Sequence, residues 1–230
     1  MPQQLPLHLT LNEQNTFANF VAGDNMELVA RLQQLAQGRG EQFVYLFGST
    51  HVGKTHLLQA CCHLANEHQL SPIYIPLREV DQLQPNMLDN LTTLPLVFVD
   101  DVDAIVGRPA WEEAFFHFYN QIQNAGRRLI VTAHAPPKHL GLALNDLVSR
   151  LNWGISYQIK PLSDTEKIQL LISRAYQQGL HMPQNVADYL LKTSSRDVGH
   201  LLDALGRLET ATLEYKRKLT IPFVKQVLNL

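Results

Sequence analysis

Apolar residues follow one pattern over residues 16–160 and another beyond it. In the first part, short apolar runs of strand length recur without polar alternation. They are Phe43–Phe47, residues 73–75, residues 94–99 and residues 129–132. Such runs predict strands buried on both faces. Helical stretches lie between them. Leu28, Val29, Leu32 and Leu35 recur at helical spacing after Asp24-Asn25, and Gly38 and Gly40 end that helix. Residues 56–65, free of Gly and Pro, predict a second helix, with a helical stretch around 77–90 and an aromatic-rich helix over 110–125. Strands alternating with helices imply right-handed crossovers and a mostly parallel sheet covered on both faces.

From Ser163 the pattern becomes helical only. Ser163-Asp164-Thr165-Glu166 is a capping box, and its helix continues through Ile168, Leu171 and Ala175 until Gly179. Helices follow around 184–193 and 196–215, and Thr220-Ile221-Pro222 opens a short last one. A boundary is expected near residue 160, giving an α/β domain over 16–160 and a small helical domain over 161–230. The first fifteen residues are polar apart from Gln4-Leu5-Pro6-Leu7-His8-Leu9.

Composition narrows the classes. A chain of 230 residues with 45% hydrophobic and 17% charged residues is ordinary for a globular protein. A net charge of −2 supplies no basic field for free DNA binding. No run reaches membrane-span length and no signal peptide is evident, so a cytoplasmic protein without a membrane partner is expected. Cys61 and Cys62 are neighbours in sequence and read as small core residues of a reduced protein, with a redox pair as the alternative. The ten histidines show no metal-ligand spacing.

The chemistry is concentrated in two motifs. Gly48-Ser49-Thr50-His51-Val52-Gly53-Lys54-Thr55 is a P-loop signature, placed between a predicted strand and a predicted helix. The glycines permit a turn whose backbone N–H groups face a polyphosphate. Lys54 supplies a point charge for the phosphates, and the Thr55 hydroxyl is a candidate Mg²⁺ ligand. The positive end of the following helix, which carries His56, adds to the site. The second motif is the apolar strand ending in Asp100-Asp101, 46 residues after Lys54. After a P-loop this is the Walker B pattern, in which Asp100 binds Mg²⁺ directly or through water. Asp101 stands where many ATPases carry a water-orienting Glu, and its shorter side chain should orient water less well. Asp103 reads as a solvated acid at a helix start. At the end of the next strand, His134 is either a γ-phosphate sensor or a plain loop histidine.

In order, these motifs resemble AAA+ ATPases. A further segment, Ser149-Arg150-Leu151-Asn152-Trp153-Gly154, and the helical lid extend the likeness. Within that class the chain is similar to the replication initiator DnaA and to the DnaA-related regulators of the Hda type. Thr16-Phe17-Ala18-Asn19-Phe20-Val21-Ala22-Gly23 resembles an adenine-pocket entry. The resemblance implies a P-loop AAA+ three-layer αβα domain with a mostly parallel sheet, followed by a small all-helical lid. It also implies bound ADP or ATP with Mg²⁺, and contacts to nucleotide from Phe20 and Val21.

The same resemblance makes Arg150 an arginine finger acting in trans, against the alternative of an ion pair with Asp146 on its own helix. It implies that Gln4, Leu5, Leu7 and Leu9 form a motif for docking on the DNA polymerase sliding clamp, within a segment over residues 1–15. No helix-turn-helix domain is expected after the lid, so DNA would be met only indirectly through the clamp. The family's lid carries a phosphate-sensing Arg, and the matching position here is Gly199. Arg196, placed one turn earlier on the expected helix, is the substitute, with His200 a weaker candidate. Weak or absent ATP turnover is therefore expected. The function implied is negative regulation of replication initiation by stimulating hydrolysis of DnaA-bound ATP, with a homo-oligomer possible in principle. The alternatives are an AAA+ helicase loader and, less consistent with Arg150 and the lid, a small-molecule kinase. The Lys216-Arg217-Lys218 run reads as a solvated helix face.

Overall fold

The computed structural model describes residues 11–229. Gln4, Leu5, Leu7 and Leu9 lie outside the described residues. The chain divides into two compact units. One comprises Asn25–Lys160 with the segment ending at Phe20; the other comprises Val21–Asp24 with the chain from Pro161 onward. Among the described residues no helix is long and apolar enough to cross a membrane.

Five parallel strands form the sheet of the first unit: β1 Phe43–Phe47, β2 Pro72–Pro76, β3 Leu96–Asp100, β4 Arg128–Ala133 and β5 Ile155–Gln158. Their order is β2-β3-β4-β1-β5, which sets β4 between β3 and β1. The three central strands are almost wholly buried, which explains their unbroken apolar sequences. Side chains alternate between two cores. Tyr45, Val97, Val99, Leu129 and Val131 pack with α3, Pro109–Asn124. Val44, Leu46, Leu96, Phe98 and Ile130 pack on the other side with α1, Met26–Ala36, and α2, Lys54–Glu67. The result is the expected three-layer αβα arrangement.

Two elements depart from expectation. Residues 77–90 form no α-helix but two 3-10 stretches, Leu77–Gln82 and Pro85–Thr93. Pro85 lacks an N–H and cannot continue a helix from residue 81, and Gln84 before it is extended. Strand β5 is not among the strands the apolar runs predict. Its four residues are mostly exposed at the sheet edge, so no apolar run announces it. Cys61 and Cys62 are free, buried thiols on α2, and burial raises the pKa of both. That places them in the core and removes the redox-pair alternative at this exposure.

The second unit contains α5, Asp164–Gln177, α6, Gln184–Thr193, α7, Val198–Tyr215, and α8, Ile221–Leu228, around a core that includes Leu171, Leu190, Leu205, Leu208 and Val224. The capping box closes α5: the Ser163 N–H donates to Glu166 Oε2 at 2.6 Å, and the Glu166 N–H donates to Ser163 Oγ at 3.4 Å. Helix α7 starts two residues later than expected because Asp197 is its N-cap and accepts from the His200 N–H at 3.1 Å. Arg196 therefore precedes the cap instead of lying on the helix.

Two glycines give stability changes of opposite sign. A Cβ on Gly154 would lie 2.2 Å from Phe43 Cδ1 and 2.7 Å from the Phe43 carbonyl oxygen. Gly206, inside α7, has open space around its Cβ position. Gly154→Ala is expected to destabilise by about 1–3 kcal/mol through overpacking. Gly206→Ala is expected to stabilise by about 0.5–1 kcal/mol through helix propensity. Urea denaturation of the two variants measures both signs.

Candidate nucleotide site

Parallel strands bring their C-terminal ends to one edge of the sheet, so the residues that follow β1, β3 and β4 become neighbours. The P-loop leaves β1 there. Gly53 has φ +96° and no room for a Cβ, because Phe20 Cε2 would lie 2.7 Å away. Gly48 is equally confined, with Val52 Cγ2 and the Ile159 carbonyl oxygen at 3.0 and 3.1 Å from its Cβ position. His51 also takes positive φ, which tightens the turn. Ser49, Thr50 and His51 are exposed at the loop's crest, while Val52 is half-buried beneath it.

Lys54 opens α2 and is only 6% exposed. Its ammonium donates to the carbonyls of Gly48 at 2.9 Å and Ser49 at 3.0 Å. The charge is thus held inside the loop, where a polyphosphate would meet it. Thr55 follows, and its hydroxyl donates to Asp100 Oδ2 at 2.7 Å. This joins the P-loop to the Walker B strand and sets the two proposed Mg²⁺ ligands side by side. Among the described residues there is no cluster of three His, Cys, Asp or Glu that could hold a metal. A hydroxyl beside one carboxylate, with phosphate oxygens completing the shell, is the donor set Mg²⁺ takes in nucleotide sites.

Phe20 and His56 border the loop. Their rings lie 5.3 Å apart, and His56 Nε2 is 2.8 Å from the Thr16 carbonyl oxygen. These contacts fix the segment before Phe20 against α2. Val21 is half-buried and belongs to the second unit, as does Arg196. Arg196 is exposed and lies 3.5 Å from Asp164 Oδ2.

Asp100 is held more fully than its motif suggested. Besides Thr55, its Oδ2 accepts from the Tyr74 hydroxyl of β2 at 2.9 Å, and its Oδ1 accepts from the Thr132 hydroxyl of β4 at 2.5 Å. Thr132 in turn accepts the Asp101 N–H at 2.9 Å. The register explains this contact. Val99 pairs with Val131, so the next residues along, Asp100 and Thr132, stand side by side. Burial and the Asp100 charge hold the Tyr74 phenol protonated, which keeps it a donor.

His134, a candidate γ-phosphate sensor or loop histidine, follows directly on β4. His134 is exposed and bonded to Asp103: Nδ1 is 3.1 Å from Asp103 Oδ2, and its N–H donates to Oδ1 at 3.2 Å. Asp103 is accordingly engaged, not simply solvated as expected. Thr132 and Tyr74 were missed because both sit within apolar strands, where a lone hydroxyl reads as β-propensity. Only strand order shows that they face Asp100.

Asp101 has left-handed backbone geometry, φ 56° and ψ 58°, which Asp tolerates better than most residues. Its carboxylate pairs with Arg78 at 2.5 Å, from the stretch after β2. Burial first, then the Asp100 charge, raise its pKa above the ordinary value, although Arg78 and Lys54 oppose this. The charged form therefore costs stability. That cost is absent below the unfolded-state pKa and grows as pH rises through the raised folded pKa. Asp101→Asn is expected to gain stability over the parent as pH rises from about 4, near the unfolded Asp value, towards neutrality. Urea midpoints for both proteins across that range test the sign.

Residues 11–158 match the family model of the bacterial DnaA ATPase domain, and residues 164–228 match that of the Hda lid domain. Among solved structures, domain III of the Thermotoga maritima replication initiation protein DnaA has a TM-score of 0.85 at 21% identity, covering 96% of this chain and 98% of that one. AMPPCP-bound DnaA from Aquifex aeolicus has a TM-score of 0.73 at 24% identity, covering 89% and 68%. The replication initiator DnaA bound to AMPPCP and single-stranded DNA has a TM-score of 0.73 at 23% identity, covering 90% and 69%. At these identities the structural likeness is one of fold, and the family rests on the matched models. The chain belongs to the bacterial DnaA ATPase-domain family, as an AAA+ protein of the Hda/DnaA type.

Proposed function

We propose that this protein is a nucleotide-holding regulator that acts on the ATP bound to DnaA through Arg150, while docked on the sliding clamp through Gln4, Leu5, Leu7 and Leu9. The observation that carries the reading is the setting of Arg150. It is the penultimate residue of α4, Asn145–Leu151. Among the described residues its guanidinium has no ion pair, with Asp146 or otherwise. It lies 5.5 Å over the ring of Trp153, which is 80% exposed. An arginine held at the surface with its hydrogen-bond donors uncommitted suits action on another molecule's phosphate.

The chain's own nucleotide has a different role in this reading. Lys54, Thr55 and Asp100 suit ADP or ATP with Mg²⁺ when it is bound. Asp101 is committed to Arg78 and is poorly placed to orient water. The lid position of a sensing arginine holds Gly199. The bound nucleotide then serves as a structural ligand, and turnover of its own ATP is expected far below the order of 1 s⁻¹, the low end of ordinary enzymes.

Arg150→Ala is expected to keep nucleotide and clamp binding while DnaA ATPase stimulation falls to background. Arginine fingers contribute about 10³–10⁵ in rate. Full stimulation by the variant would refute the role. For the docking segment, a Gln4→Ala/Leu5→Ala double substitution is expected to abolish capture by immobilised clamp that the parent shows. Equal capture of both proteins would remove that assignment.

A further inference from the structure

A chain of polar side chains leads away from Asp100 across β2 and back to α2, one turn beyond Thr55. Tyr74, on strand β2, donates its hydroxyl to Asp100 Oδ2, the same oxygen that receives Thr55. Behind it stands Gln59 of α2, only 7% exposed. The Gln59 carbonyl oxygen is occupied by the Asn12 N–H at 3.1 Å and Asn15 Nδ2 at 2.9 Å. Its amide nitrogen is left to face the Tyr74 oxygen as a donor. Each polar atom in the line thus fixes the next. His63 Nε2, one turn along α2, is 3.0 Å from the Asn12 carbonyl oxygen and steadies the same segment.

We infer that Tyr74, oriented by Gln59, is a positioning residue that holds the Asp100 carboxylate for Mg²⁺, so that it sets how strongly Mg²⁺ tightens nucleotide binding. The inference rests on the nucleotide reading above. A cation beside Thr55 and Asp100 would take a lone pair of the Thr55 oxygen, and the hydroxyl proton can stay on Asp100 Oδ2. Thr132 on Oδ1 and Tyr74 on Oδ2 are the contacts from the neighbouring strands that fix the carboxylate's rotation. Without Tyr74, Oδ2 loses its hold from the strand side and keeps only Thr55, which belongs to the phosphate-binding loop itself. Partners of this kind behind a metal ligand change metal affinity by about 10–100-fold when removed. Gln59 matters because a phenol without a second contact can turn its hydroxyl away from Asp100.

The test is fluorescent ADP binding to the full chain, with Mg²⁺ and with chelator, and Mn²⁺ affinity of the ADP complex by electron paramagnetic resonance. The parent is expected to bind ADP more tightly with Mg²⁺. Tyr74→Phe is expected to bind ADP in chelator as the parent does, but to lose about tenfold or more of the Mg²⁺ enhancement and of Mn²⁺ affinity. Gln59→Glu keeps the acceptor for Asn12 and Asn15 but draws the phenol proton towards itself, and is expected to show the same loss. Gln59→Leu removes the amide and serves as a second check.

A purely structural tyrosine would alter the unfolding midpoint and leave the ratio of the two ADP affinities unchanged, and that result overturns the inference. A larger Mg²⁺ enhancement in Tyr74→Phe also overturns it, since the hydroxyl would then compete with the metal. Failure of the parent to bind ADP under any condition overturns the nucleotide reading and this inference with it. Normal ADP binding with unchanged metal dependence in the variants overturns this inference alone.

Discussion

The contact between the Thr55 hydroxyl and the Asp100 carboxylate is the join on which the site depends. Thr55 belongs to the loop after the fourth strand in spatial order, and Asp100 to the second. They can meet only because the strand between them ends in a small residue at that level. A large side chain at position 132 would hold the two apart. Thr132 instead bonds to Asp100 and to the backbone of Asp101. The P-loop, the Asp100 carboxylate and the central strand are therefore one hydrogen-bonded unit. Its carboxylate is buried, where an unpaired charge would be costly.

Parallel strand direction supplies the rest of the economy. One edge of the sheet receives the P-loop from β1, Arg78 from β2, both acids from β3 and His134 from β4. The opposite edge carries none of this chemistry. Apolar layers on both faces hold the edge rigid, because each central strand commits alternate residues to each layer. The loop glycines then act against fixed walls. Phe20 closes over Gly53, and Ile159 closes under Gly48.

Much of this was legible from the residues. The P-loop spacing, the apolar strand before it and the Asp100-Asp101 ending each carry local information. So does the Ser163–Glu166 box, whose reciprocal bonds form as the residues imply. What remained hidden depends on pairing at a distance. Thr132 and Tyr74 became site residues only once β4 was known to lie beside β3 and β2 beyond it. His134 follows directly on the strand, where its contact is with Asp103. Strand β5 was hidden for the opposite reason: as an exposed edge it has no apolar requirement. The 3-10 stretches around Pro85 show how one missing N–H overrides a composition that favours helix.

The close approach of Gly154 to Phe43 has a mechanical meaning for the surface beyond it. Leu151 is sunk in the core and Gly154 lies flush against Phe43. The turn that bears Trp153 is thus held at both ends, by Leu151 in the core and by Gly154 against the central sheet, and Arg150 sits immediately before the first anchor. A molecule that met this surface would be met by a fixed post with two movable tips, not by a loop that adapts. Tolerance in such an encounter would have to come from the partner.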